Sequence, residues 1–282
     1  MSVLTMRALD LPSGETIPVL GMGTWHLGEG RHPAEVEIDA LRTGLDLGMT
    51  LIDTAEMYGG GDSERLVGRA ITGRRDDAFL VSKVLPQHAT FDGTIAACQA
   101  SLGRLDTDRL DLYLLHWRGA VPLEDTIRAF EELKRAGSIR HWGVSNFDLT
   151  DMTELIDLPG GRAVESDQVL YNLARRGIEW NLLPWCQGNG IPIMAYSPIE
   201  QGRLLGHPVL AGIGVRHRAK SAQVALAWVI AHPGVCAIPE AGTPDHVRVN
   251  FESLQVVLQE DDVVELDAAF PPPPQPVPLE VL

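Results

Sequence analysis

Cysteine is scarce in this chain. There are three in 282 residues, Cys98, Cys186 and Cys236, widely spaced and with no CxxC pair. That excludes a disulfide framework and a thiolate zinc cage, and it points to a reducing, cytoplasmic compartment. Long apolar runs are missing too. VALAWVIA at 224–231 is among the longest, far short of the ~20 apolar residues a membrane-spanning helix needs. The opening MSVLTMRALDLPSGE has no continuous apolar segment followed by a cleavage site, so no leader peptide is expected. Basic residues number 23 against 38 acidic, a net charge of -15. A nucleic acid or an anionic membrane needs a basic face, so neither is an expected partner.

Two signatures of nucleotide and metal chemistry are also lacking. Gly21-x-Gly23 and Gly28-x-Gly30 have no third glycine, so no strand is followed by the dinucleotide fingerprint of an open, doubly wound sheet. There is no Walker loop and no HExxH, and no metal site is expected.

What the chain does have is alternation. Strand-like runs are expected at Val19 to Gly23, Leu51 to Asp53, Phe79 to Lys83, Leu110 to His116, Trp142 to Ser145, Ser166 to Val169, Ile193 to Tyr196 and Val235 to Ile238. Amphipathic helical patterns lie between them, such as PAEVEIDALRTGLDLG, DSERLVGRAI and LEDTIRAFEELKRAG. RGIEWNLLPWCQGNG reads as helical only if Pro184 sits in a first turn. Eight such alternations favour a closed (β/α)8 TIM barrel, as a single domain over 1–282. Ser13-Gly14 marks a β-hairpin ahead of the first barrel strand. The proline-rich tail, 271–282, is expected as an extended strap or a disordered end.

A barrel gathers its chemistry at the C-terminal ends of its strands. Asp53, Lys83 and His116 end three consecutive predicted strands, and Tyr58 follows on the loop after Asp53. Burying a charge is costly unless it is paired, so Asp53 and Lys83 are expected to form an ion pair. A phenol near that ammonium is expected to have its pKa pulled below about 10. With His116 orienting an oxygen, such a phenol suits proton delivery to a carbonyl. The glycines at 59–61 permit the turn into the next helix, whose cap is expected near Asp62 or Ser63.

The ordered series GMGTW (21–25), LIDTAEMYGGGDSERLVGRAI (51–71), VSK (81–83), LDLYLLHW (110–117), IRHWGVSNF (139–147), DQVLYNL (167–173), MAYSP (194–198) and IPEAGTPDHVRVN (238–250) resembles the aldo-keto reductase superfamily. It is most similar to bacterial methylglyoxal and 2,5-diketogluconate reductase-like enzymes, particularly at LPGG (158–161) and LLPWCQ (182–187). The resemblance implies an NAD(P)H-dependent reductase of aldehydes, ketoaldehydes or keto sugars, a monomer or weak oligomer. It makes Tyr58 the general acid, Asp53 and Lys83 its tuning pair, and His116 the substrate-orienting residue. Ser145, Asn146 and Gln168 match the residues that hold the nicotinamide carboxamide, and Tyr196 the ring that stacks on the nicotinamide. Gly23, Thr24, Ser197, Pro198, Ile199, Ala241 and Asn250 fall in segments lining the cofactor groove, as does Asp53. Trp25 and Trp117 match aromatic walls of a substrate pocket.

One segment departs from the family. Relatives that use NADPH usually carry a basic residue just after the strand-eight IP, and often a second a turn later. Here Glu240, Ala241 and Gly242 stand there, and His246 takes the later position. A carboxylate beside a 2'-phosphate is repulsive by about 1–4 kcal/mol. NADPH, the family default, is therefore expected to lose its advantage and NADH to serve as well or better, unless Arg203 or Arg248 compensates. Two rival functions remain on the same residues. One is a cofactor-binding regulatory subunit with vestigial turnover; the other is a barrel aldolase using Lys83 as a Schiff-base nucleophile.

Overall fold

The structure, a computed structural model, describes residues 6–282. The first five residues of the segment read for a leader lie outside the described residues. A hairpin comes first, β1 (Ala8–Asp10) pairing antiparallel with β2 (Thr16–Pro18), as Ser13-Gly14 predicts. Eight parallel strands then follow in chain order. They are β3 (Met22–Gly23), β4 (Leu51–Asp53), β5 (Phe79–Val84), β6 (Leu110–Leu115), β7 (Ile139–Ser145), β8 (Val164–Leu170), β9 (Ile193–Tyr196) and β10 (Val235–Ala237). Each pairs with its sequence neighbour, and bridges Leu20 to Ala237 and Gly23 to Glu240 bring the two edges together.

The first strand is shorter than expected. Val19 to Gly21 are not regular strand, yet Ala237 N donates to Val19 O and Gly21 N to Ala237 O, both at 2.9 Å. These residues close the barrel seam. Strand edges left open inside a core would strand their backbone donors, and the seam bonds satisfy them.

Helices α1 (Ala34–Asp46), α2 (Asp62–Ile71), α3 (Phe91–Leu105), α4 (Leu123–Arg135), α5 (Leu149–Asp157), α6 (Leu182–Asn189), α7 (Pro208–His217), α8 (Ser221–Ala231), α9 (Pro244–Phe251) and α10 (Glu260–Ala269) follow. Pro184 sits within the first turn of α6, where a missing N–H costs nothing. The strands are buried on both faces, which is why they read as near-continuous apolar runs. Their outer side chains meet the helices in the main core. Their inner ones, among them Leu51, Phe79, Val81, Leu112, Leu114 and Met194, form a second cluster that Leu11 and Ile17 join from the hairpin. The hairpin therefore packs where β4 and β5 begin and leaves the opposite, C-terminal rim open.

The α2 cap differs from expectation. Asp62 is the first residue of the helix, and Gly61, at φ 94°, holds the cap position without a side-chain bond. Ser63 is turned inward instead, its Oγ donating toward Thr24 O at 3.0 Å and lying 2.8 Å from Thr24 Oγ1. The helix start is tied to the loop after β3 rather than capped by its own hydroxyl. Gly59 and Gly60 also hold positive φ, 55° and 63°, so the YGGG stretch turns where a side chain would be strained.

The tail from 271 is an extended strap. Trp180 Nε1 donates to Pro273 O at 2.8 Å, Arg175 Nη1 to Glu280 Oε1 at 2.6 Å, and Leu282 N reaches Tyr196 OH at 3.4 Å. Among the described residues, no helix is long and apolar enough to cross a membrane, and no cluster of His, Cys, Asp or Glu could hold a metal ion. The three cysteines are buried and free.

Candidate active site

Asp53 is the last residue of β4, Lys83 the penultimate residue of β5, and His116 the first beyond β6. Parallel pairing in register places these ends side by side on one rim. Lys83 is fully buried and Asp53 nearly so. Lys83 Nζ donates to Asp53 Oδ2 at 2.7 Å, to Thr54 O at 2.9 Å and to Tyr58 OH at 3.1 Å. Those are all three ammonium donors, and none is left over.

The direction of the bond to Tyr58 matters. An ammonium only donates, so the phenol oxygen accepts, and its own proton is left for another partner. Burial alone would lower the Lys83 pKa, but Asp53 and Tyr58 outweigh it and hold the ammonium above its usual range. Such a lysine keeps its proton, which counts against a Schiff-base nucleophile.

The expectation for Tyr58 is overturned in sign. Burial pushes the phenol above its ordinary value, and the pull of Lys83 offsets this only in part. Burial likewise raises Asp53 despite Lys83 and Gln168. Desolvation acts on every group in the pocket, and a single buried cation cannot undo it for two acids at once. Tyr58 therefore rests in its protonated form.

His116 is buried, and its ring lies edge-on to Tyr58 with centroids 5.9 Å apart. Burial, aided by Lys83, pushes its pKa down to about 2. The imidazole is neutral, and Nδ1 finds no protein partner.

A cavity of about 940 Å³ opens above this cluster. Its walls include every other sequence-predicted site residue except Ala241, which is buried behind it. Gly23, Thr24 and Trp25 come from the loop after β3, and Trp117 follows His116. Ser145 and Asn146 end β7, Gln168 lies in β8, and Tyr196 to Ile199 leave β9. Glu240, His246 and Asn250 complete it beyond β10.

The amide-bearing residues form one network. Asn146 sits at φ 58° and donates through Nδ2 to His116 O at 3.0 Å and Ser145 Oγ at 3.1 Å. Ser145 Oγ donates to Gln168 O at 2.8 Å, and Tyr196 OH to Asn146 Oδ1 at 2.9 Å. Gln168 Nε2 donates to Asp53 Oδ1 at 2.8 Å. A flat amide-bearing heterocycle fits here. Tyr196 offers a ring, and Ser145, Asn146 and Gln168 offer exchangeable amide and hydroxyl bonds.

The proposed compensators for Glu240 lie elsewhere. Arg203 Nη2 is engaged with Glu200 Oε1 at 3.0 Å, and Arg248 Nη1 with Asp245 Oδ1 at 3.0 Å, and neither lines the cavity. Arg31, Lys220 and Leu282 do line it, and the sequence reading missed all three. No local pattern marks them; only the loop paths and the strap bring them in.

Residues 19–270 match the aldo/keto reductase family. The chain is 50% identical over 275 residues to methylglyoxal reductase YeaE of Escherichia coli, covering 96% of this chain and 97% of that one. It is 33% identical over 264 residues to a glyoxal reductase of Bacillus subtilis, covering 92% and 91%. A crystal structure of an aldo/keto reductase from Klebsiella pneumoniae in complex with NADP and acetate superposes with a TM-score of 0.95. It has 45% identity and covers 99% of this chain and 100% of that one.

Proposed function

Because the chain belongs to the aldo/keto reductase family, as an oxidoreductase of carbonyl groups, we propose that it reduces small ketoaldehydes of the methylglyoxal class, with Tyr58 as the proton donor. One observation carries the assignment. Tyr58 OH accepts a bond from a buried ammonium, so its proton is directed away from Lys83, in the cavity that it lines together with His116.

A reduced nicotinamide, when bound, supplies the hydride. The chain does the rest. Neutral His116 offers one N–H to orient the substrate oxygen. Tyr58 then passes its proton to that oxygen, and Lys83, 3.1 Å away, stabilises the phenolate charge as it forms. The phenol's raised resting pKa fits this role. The acid stays loaded at neutral pH, and the ammonium's stabilisation is realised when the proton leaves. Asp53 keeps Lys83 charged and in place. Ser145, Asn146, Gln168 and Tyr196 would hold the nicotinamide end, and Trp25 and Trp117 would wall the substrate.

We further read Glu240 as weakening NADPH preference, so that NADH serves as well or better. The chain acts as one unit over 1–282, a monomer or weak oligomer. Its buried, unpaired cysteines suit a reducing cytoplasm.

The test is loss of reduced-nicotinamide absorbance with methylglyoxal, simple aldehydes and keto sugars against both coenzymes. Methylglyoxal is expected to lead. No turnover of any carbonyl with either coenzyme would overturn the reading. A kcat/KM preference for NADPH above about a hundredfold would overturn the role of Glu240.

A further inference from the structure

The β10 side of the groove carries little positive charge. Glu240 is a carboxylate, Ala241 is buried and carries only a methyl group, and Arg203 and Arg248 are paired outside the cavity. The loop between β3 and α1 crosses to this side. Gly23 is bridged to Glu240, and His32 covers Gly242. A Cβ at Gly242 would stand 2.5 Å from His32 Cδ2 and 3.6 Å from Glu240 Oε1, so imidazole and carboxylate share one small space. Arg31 precedes His32 on this loop and lines the same cavity as Glu240. Among the described residues its guanidinium has no carboxylate within ion-pairing distance, and it exerts the strongest attraction on Glu240.

An exposed guanidinium facing a coenzyme groove, opposite a carboxylate that does not satisfy it, is suited to take a phosphate. Its planar fork matches phosphate oxygens two at a time, as lysine cannot. We infer that Arg31 is the residue that reads a 2'-phosphate on the coenzyme. Glu240 and Arg31, on facing loops, would then form a two-sided discriminator. The carboxylate accepts bonds from ribose hydroxyls, and the guanidinium takes the phosphate when one is present. The positive charge that the β10 side lacks at Glu240 is supplied here across the seam, from beyond β3. The inference rests on reading this groove as a dinucleotide site.

Binding in the absence of carbonyl substrate tests it, with NADPH and NADH titrated calorimetrically into wild type, Arg31→Ala, Arg31→Lys and Glu240→Gln. Charge-assisted bonds of this kind predict that Arg31→Ala weakens NADPH about tenfold or more and NADH less than about threefold. Arg31→Lys should recover part of the loss, and Glu240→Gln should tighten NADPH. Salt should weaken NADPH binding more steeply in wild type than in Arg31→Ala. Equal losses for both coenzymes would move Arg31 to the shared pyrophosphate and overturn the inference, as would no loss for either. If wild type bound neither coenzyme, the groove reading itself would fall. Arg31 is exposed and forms no ion pair among the described residues, so its variants should fold as wild type does.

Discussion

Gln168 Nε2 donates to Asp53 Oδ1 at 2.8 Å, joining side chains 115 positions apart in the chain. Lys83 holds the other oxygen, so both sides of the buried carboxylate are satisfied. Gln168→Met keeps the volume but leaves Oδ1 without its donor. A buried charged oxygen stripped of a bond costs about 1–3 kcal/mol. The urea midpoint should fall accordingly with an unchanged m value. A midpoint equal to wild type would show that the bond does not support the pair.

Tyr58→Phe removes the proposed proton donor and one of the three acceptors of Lys83, while the ring's packing remains. Loss of general acid catalysis should lower kcat by about a hundredfold or more. Coenzyme Kd should stay within about twofold, since an interaction acting in the transition state leaves ground-state binding alone. Near-wild-type turnover would remove Tyr58 from the mechanism.

Most of the architecture was legible in the sequence because barrel strands are buried on both faces and read as short apolar runs between amphipathic helices. The rim positions of Asp53, Lys83 and His116 were legible for the same reason: a charge ending an apolar run is conspicuous. Three things were not. The sign of the Tyr58 shift depends on how far the phenol is desolvated, which no local pattern encodes. The α2 cap was misplaced because Ser63 spends its hydroxyl on Thr24, 39 positions away. Arg31 was missed because its relevance lies in the seam bridge from Gly23 to Glu240, a contact between the chain's two ends.

His116 makes a pH prediction. Its folded pKa, about 2, lies below the ordinary value of 6.5, because burial and then Lys83 disfavour the cation. Between these values the unfolded chain binds the proton and the folded one does not. Stability therefore rises with pH in this window and is lost as pH falls below about 6.5, by up to ~1.4 kcal/mol per unit from this group. His116→Gln lacks that term. The stability gap between wild type and variant should shift in the variant's favour from pH 6.5 to 4.5 in urea titrations. A constant gap would mean His116 titrates normally, and kcat/KM would then show an ionisation near 6.5 that a neutral histidine does not produce.

The strap offers the last test. Leu282 lines the cavity and its N–H meets Tyr196 OH, while Glu280 holds Arg175, which also grips Glu200 through Nε at 3.2 Å and Nη2 at 3.0 Å. The Arg175–Glu280 pair is about a third exposed on each side, so it contributes at most about 1 kcal/mol to stability. Deleting residues 280–282, which leaves Leu279 packed against the core, should therefore lower Tm by only a few degrees. The apolar rim over the substrate would be lost, raising KM for methylglyoxal several-fold while kcat holds within about twofold, as expected when uniform binding is removed. A large fall in Tm would make the strap a structural brace, and an unchanged KM would place Leu282 outside the substrate's reach.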